Sequence, residues 1–259
     1  MEGIRLELFD LTGKTAIITG GGGGIGSACA KALAKAGAQI VLVDKEEEYL
    51  ASVKESMLKD SLNPLCLQMD IADSGQVNYV IDETIKKFGN IDIFINSAAV
   101  HNRTHILSLS EDEWRKVIDI NLNSAFYMSK QVAAKMVEHG KGGKIIFIVS
   151  TGAFRASVNY GAYSVSKAGV VMLMKTLALE LAQYKINVNA IAPTATDTRF
   201  TRDYYYENPD KKIAVINNHP FGRIAVPEDY AGTALYLASS ASDFVTGTTI
   251  VVDGGKTAK

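Results

Sequence analysis

Cysteine is scarce in this chain, and the two that occur, Cys29 and Cys66, lack the spacing of a metal site or a redox pair. A disulfide-stapled or cysteine-ligated scaffold is therefore excluded, and a reducing compartment is the natural setting. Both cysteines read as small buried residues. No apolar run reaches the ~20 residues that a membrane span needs. The opening MEGIRLELFDLTGK has no positive stretch followed by an apolar one, so no secretory signal is expected. Charge of one sign is also lacking: 27 Lys and Arg are mixed with 28 Asp and Glu, for a formal net charge of -1. Without a basic stripe, nucleic acid is a poor candidate partner. No repeat and no low-complexity linker divides the 259 residues. The expectation is a cytoplasmic protein with one domain over residues 1–259, without membrane or nucleic-acid partners.

What the chain does have is alternation. TAIIT (15–19), QIVLV (39–43), PLCLQM (64–69), IDIFI (91–95), KIIFIV (144–149), INVNAIA (186–192) and TTIVV (248–252) are short, β-branched and nearly continuous in apolar character. That is the pattern of strands covered on both faces. Between them lie longer segments with apolar residues three and four apart, and Ser110 with Glu113 marks one helix start as a capping box. Repeated βα units predict an α/β fold. It is a single doubly wound, Rossmann-type domain: a seven-stranded parallel sheet with helices on both faces and right-handed crossovers. The segment from about 199 to 223, containing DYYYENPDKK and NNHPFGR, breaks this rhythm between the sixth and seventh strands. Ligands of such sheets bind beyond the carboxyl ends of the strands, so the insertion is a candidate lid. A plain surface excursion or a subunit contact is the competing reading.

TGGGGGIG (Thr19 to Gly26) follows the first strand and opens the first helix. Backbone N–H groups at a helix start bind phosphate, and glycines let the backbone come close to a pyrophosphate. Two registers fit, Gly21/Gly23/Gly26 and Thr19/Gly20/Gly24/Gly26, and the turn as a whole, Gly22, Gly23 and Ile25 included, is assigned to a dinucleotide. Asp44, at the end of the second strand, has the spacing of a carboxylate that holds the adenosine ribose. It would repel a 2′-phosphate, so NAD is expected over NADP, although Lys45 could compensate.

Tyr163 and Lys167 stand four apart where the pattern turns helical, and so share a helix face. A free phenol titrates near 10. An ammonium ~4 Å away at an effective dielectric near 20 favours phenolate by up to ~4 kcal/mol, enough to bring it near neutrality. An oxidised nicotinamide would add a second positive charge. Tyr160 has no cation four residues on, so Tyr163 is the expected proton-transfer residue and Tyr160 a pocket-lining one. Ser150, ending the fifth strand, could hold a substrate oxygen. Asn121, in INLNSAF, could hold with its amide a water that leads protons from Lys167 to solvent.

These motifs, with Asp70 in MDIAD, NSAA (96–99) and PTATDT (193–198), come in an order and spacing similar to the short-chain dehydrogenase/reductase family. The resemblance spans essentially the whole chain. It implies the Thr19/Gly20/Gly24/Gly26 register, adenine contacts from Asp70 and Ile71, and cofactor contacts from Asn96, Ala98, Pro193, Thr196 and Thr198. It also implies catalysis by Asn121, Ser150, Tyr163 and Lys167, with the last two touching the cofactor as well, and a homotetramer. Ala99 and Thr194 stand where that family customarily has glycine, which puts the local backbone in question.

The reaction expected is hydride transfer between a nicotinamide and a secondary alcohol or ketone. A catalytically silent nucleotide-sensing regulator and a sugar-nucleotide epimerase are the alternatives. The intact Ser/Tyr/Lys set speaks against the first, and the short region after Pro193 against the second. His101 and His105 are four apart, but in a stretch that does not read as helical, and no metal is expected. Arg103 follows the fourth strand and could grip a carboxylate, or be an exposed loop arginine. A sugar acid fits Arg103, whereas an apolar ketone fits the run Tyr204 to Tyr206, with Tyr205 a further candidate substrate contact.

Overall fold

The computed structural model describes residues 7–258, so the first six residues and the last of the expected domain lie outside it. Seven strands form one parallel sheet in the order β3-β2-β1-β4-β5-β6-β7. They are β1 (Thr15–Thr19), β2 (Gln39–Asp44), β3 (Leu65–Gln68), β4 (Ile93–Asn96), β5 (Gly143–Ile148), β6 (Ile186–Pro193) and β7 (Thr249–Val252). The winding reverses between β1 and β4, which leaves a crevice at their carboxyl ends. The register puts those ends level: Thr19 pairs with Val43 on one side and Asn96 on the other, and Asn96 pairs with Phe147.

Continuous apolar strands are explained by two cores. Ile17, Val41, Val43, Phe94, Ile145, Phe147 and Val188 face one layer, with residues of α3 (Val77–Phe88), α5 (Ser124–His139) and α6 (Gly161–Leu181). Their neighbours Ala16, Ile18, Leu42, Ile93, Ile95, Ile146 and Ile191 face the other, with α1 (Gly24–Lys35), α2 (Glu47–Lys59) and α9 (Ala231–Ala238). The strands between the two edges thus bury both faces and need no polar alternation, while β3 and β7 at the edges are only partly covered. The capping box stands as expected at the start of α4 (Glu111–Ile118), where Ser110 Oγ accepts from Glu113 N. The chain then passes through a π-helical turn, Asp119–Asn123, before α5.

The segment that broke the rhythm is helical rather than irregular. α7 (Arg199–Glu207) and α8 (Pro209–Asn217) meet at Asn208, whose extended φ of -129° ends one helix while Pro209 starts the next. Both helices reach over the carboxyl edge of the sheet, and Phe200, Thr201, Asp203, Tyr205 and Val215 wall the cavity there.

Candidate active site

That cavity, of about 760 Å³, runs from the glycine turn to the start of α6. Gly20 adopts a left-handed φ of 65°, and a Cβ on it would lie 2.7 Å from Ala98 N. A Cβ on Gly26 would collide with the Gly20 carbonyl, and one on Gly24 would meet Thr198 Cγ2 at 2.9 Å. A Cβ on Gly23 has only the Gly20 carbonyl oxygen near it, at 3.2 Å. The left-handed φ of Gly20 and its approach to Ala98 favour the register that contains it, while Gly21 of the alternative is also close-packed, a Cβ there meeting Leu42 Cβ at 2.9 Å. Asp44 braces the turn, its Oδ2 accepting from Gly22 N at 3.1 Å and its Oδ1 from Glu46 N at 3.2 Å. Lys45 is turned to Glu46, 3.7 Å away.

Gly20, Gly22, Gly23, Gly24, Ile25, Gly26, Asp44, Asp70, Ile71, Ala98, Pro193, Thr196 and Thr198 all line the cavity, as do Ser150, Tyr163, Lys167, Arg103, Tyr160 and Tyr205. Three expected residues lie behind its wall. Thr19 is buried, with Oγ1 accepting from Ser97 N. Asn96 is buried with Nδ2 unpartnered among the described residues. Asn121 is also buried. A pyrophosphate cradle too tight for Cβ atoms, a carboxylate at the β2 end and an orphaned amide beside them fit a dinucleotide.

The side-chain amide of Asn121 is engaged by protein groups. Its Oδ1 accepts from Val100 N at 2.8 Å, while Nδ2 donates to Val100 O at 2.9 Å and Ser166 Oγ at 3.0 Å. Both N–H groups of the amide are committed to protein atoms, and Oδ1 keeps one acceptor position. Ser166 Oγ in turn donates to the Tyr163 carbonyl at 2.7 Å, so Asn121 ties the loop after β4 to the turn of α6 that carries Tyr163.

Desolvation dominates the electrostatics of Tyr163. Burial pushes its phenol up to about 12, partly opposed by a hydrogen bond with Ser150, and Tyr160 adds a smaller upward push. Burial pushes Lys167 down to about 8. The loss of water thus acts on both partners of the pair. Lys167 Nζ donates to the Ile148 carbonyl at 2.8 Å and lies 5.9 Å from the Tyr163 ring centroid. Ser150 Oγ accepts from Gly152 N at 3.0 Å, which fixes the oxygen and leaves its O–H to donate.

Arg103 is not a loose loop arginine. Nε donates to Tyr160 Oη at 2.7 Å, and the guanidinium lies 3.3 Å from the Tyr204 ring centroid. Of the tyrosine run, Tyr205 is buried against the cavity and Tyr206 is exposed. His101 packs on Phe200, with ring centroids 4.0 Å apart, rather than facing His105. The replacements at Ala99 and Thr194 need no positive φ. Sequence reading missed Tyr49, Arg199 and Lys256 as cavity residues. Arg199 stacks 4.2 Å from the Tyr49 ring centroid, joining α7 to α2 across a sequence gap that no local motif spans.

A family model described as enoyl-(acyl carrier protein) reductase matches residues 20–257. A 2-dehydro-3-deoxy-D-gluconate 5-dehydrogenase of Dickeya dadantii (strain 3937) is 37% identical over 250 residues, covering 96% of this chain and 98% of its own. The chain belongs to the short-chain dehydrogenase/reductase family. It is an oxidoreductase, and the silent-regulator alternative is set aside. A galactitol 2-dehydrogenase of Agrobacterium fabrum (strain C58 / ATCC 33970) is 34% identical over 95% of this chain and 98% of its own. The crystal structure of a gluconate 5-dehydrogenase from Burkholderia cenocepacia J2315, in complex with NADP and tartrate, superposes with a TM-score of 0.92. It is 35% identical over 98% of this chain and 99% of that one.

Proposed function

We propose that this member of the family is an NAD-dependent dehydrogenase of secondary alcohols on small polyols or sugar acids. One observation carries the reading: Ser150, Tyr163 and Lys167 open into the same cavity as the glycine turn and Asp44. The nicotinamide supplies the hydride acceptor, or the hydride donor in the reverse direction. Gly20 to Gly26 would hold its pyrophosphate, Asp44 its adenosine ribose, Asp70 and Ile71 its adenine, and Pro193, Thr196 and Thr198 its carboxamide end. Asp44 favours NAD by repelling a 2′-phosphate, and its neighbour Lys45 is turned to Glu46. The Ser150 hydroxyl orients the substrate oxygen by donating to it. Tyr163, neutral when its pKa stands near 12, gives a proton at Oη to a carbonyl oxygen during reduction. The Lys167 ammonium stabilises the phenolate that this leaves, and in oxidation that phenolate takes the alcohol proton at the same Oη and returns to the neutral phenol.

Arg103, Tyr160 and Tyr205 form the substrate side, and α7 with α8 acts as a lid that excludes water. The names of the relatives support hydroxylated substrates over an apolar ketone. Exposed Val165, Met172 and Leu179 on α6 and Phe126 on α5 support assembly of a homotetramer, for which the cytoplasm is the proposed location. The deciding experiment assays polyols, sugar acids, 3-hydroxyacyl thioesters and steroids with NAD and with NADP. The expected result is turnover of a polyol or sugar acid with NAD, and turnover confined to steroids or thioesters refutes the substrate class.

A further inference from the structure

The replacement of the customary glycine at Thr194 has a structural consequence. Thr194 follows Pro193 where β6 ends, and its Oγ1 lies 2.9 Å from His219 Nε2. His219 is buried, and its Nδ1 lies 2.6 Å from the Val215 carbonyl. A carbonyl only accepts, so Nδ1 carries the proton and, in the neutral ring, Nε2 is the acceptor. The Thr194 hydroxyl therefore donates to His219, and its lone pairs are left to accept. Lys256 Nζ donates to them from 3.4 Å.

Lys256 reaches this point because the chain folds back after β7. Gly254 and Gly255 are both left-handed, at φ 62° and 81°, and pack against Phe221 and Pro220. Lys256 thereby lines the same cavity as Ser150 and Tyr163. No carboxylate among the described residues lies within ion-pair distance of it. The carboxylate nearest in sequence, Asp253, accepts instead from Gly255 N, Thr257 N and Thr257 Oγ1. Burial lowers the Lys256 ammonium's pKa, Asp253 opposes that shift, and Arg155 adds to it. A half-buried cation with two N–H groups unclaimed and no counter-ion is a site waiting for an anion. The other cations that line the cavity are engaged: Arg103 gives Nε–H to Tyr160 and one face to Tyr204, Lys167 donates to the Ile148 carbonyl, Arg199 stacks on Tyr49 and Lys45 faces Glu46.

We propose that Lys256 is the residue that selects an acidic substrate: its ammonium, positioned by Thr194, receives the carboxylate of a sugar acid whose CH–OH lies at Ser150 and Tyr163. This rests on the dehydrogenase reading above and narrows it to acids. Thr194 is a positioning residue, acting through Lys256.

The test uses the full-length enzyme with the sugar acid that it oxidises best and the matched neutral polyol, for example D-gluconate with D-glucitol. The quantity read is the ratio of kcat/KM for the acid to that for the polyol. Lys256→Met lowers this ratio at least tenfold, more than Arg103→Ala does, and Lys256→Arg restores most of it. Thr194→Val lowers it three- to tenfold through the KM of the acid rather than through kcat. A wild-type enzyme with no preference for acid over polyol would refute the narrowing to acids, and Lys256 with it, while leaving the dehydrogenase reading intact. A wild-type preference for the acid that survives both Lys256→Met and Thr194→Val would overturn the role of Lys256 alone. Loss of the ratio in Arg103→Ala but not in Lys256→Met would transfer the role to Arg103.

Discussion

Replacing Asp44 by Ala removes one charge from the place where the two dinucleotides differ. In the wild type that carboxylate is held by Gly22 N and Glu46 N, so it cannot swing away from a 2′-phosphate without breaking both bonds. Two unit charges ~4 Å apart at an effective dielectric near 20 repel by up to ~4 kcal/mol. Asp44 is only partly buried, and solvent reduces this to about 2 kcal/mol. NAD also loses its ribose bonds to a carboxylate, at roughly 1.5 kcal/mol or more each. Together these move the relative affinity of NADP to NAD by about 3–5 kcal/mol, or two to four powers of ten. The freed Gly22 N–H costs about 1 kcal/mol of stability, so a slightly lower Tm accompanies the switch. Titrating both dinucleotides into both proteins by calorimetry reads the ratio directly. A wild type that already prefers NADP, or a variant with an unmoved ratio, refutes the reasoning.

Four further outcomes are expected. Lys167 titrates near 8 in the fold against an ordinary 10.5, so the unfolded chain binds more protons between those values and wild-type stability rises with pH across that window. Lys167→Met lacks this effect, so melts from pH 8 upward show the wild type gaining on the variant; Tyr163 contributes only above its ordinary 10. Gly26→Ala sets a Cβ on the Gly20 carbonyl and costs about 1–3 kcal/mol in a denaturant melt. Gly232→Ala, in helix α9 with open space around it, is neutral or stabilising by up to about 1 kcal/mol. Light scattering at micromolar concentration gives a tetramer, and a monomer there contradicts the assignment of the exposed α5 and α6 residues to an interface.

The fold was legible because each strand is apolar on both faces, a pattern that only a doubly covered sheet produces. Strand ends read from sequence lie within two residues of those in the structure. The glycine turn, Asp44, Ser150 and the Tyr163/Lys167 pair were legible because each sits at a fixed offset from a strand end. What escaped was set by contacts distant in sequence. Lys256 meets Thr194 across 62 positions, and Arg199 meets Tyr49 across most of the sheet. The commitment of Asn121 depends on Val100 and Ser166, which no spacing rule links. The upward push of burial on Tyr163 was not legible, because a helix-face argument sees the neighbouring cation but not the loss of water. α7 and α8 were hidden by their shortness and by the break at Asn208.

The central claim is that Tyr163 moves the proton in a nicotinamide-dependent oxidation. Its most direct test compares Tyr163→Phe with Tyr160→Phe, following the formation of reduced nicotinamide by absorbance with the best substrate from the panel. Tyr163→Phe keeps the ring and loses only Oη, so kcat is expected to fall by about 10²–10⁴ with dinucleotide affinity retained. Tyr160→Phe, which releases Arg103 Nε, is expected to act mainly on KM. Equal losses of kcat in the two variants, or a Tyr163→Phe enzyme within tenfold of wild type, would contradict the account.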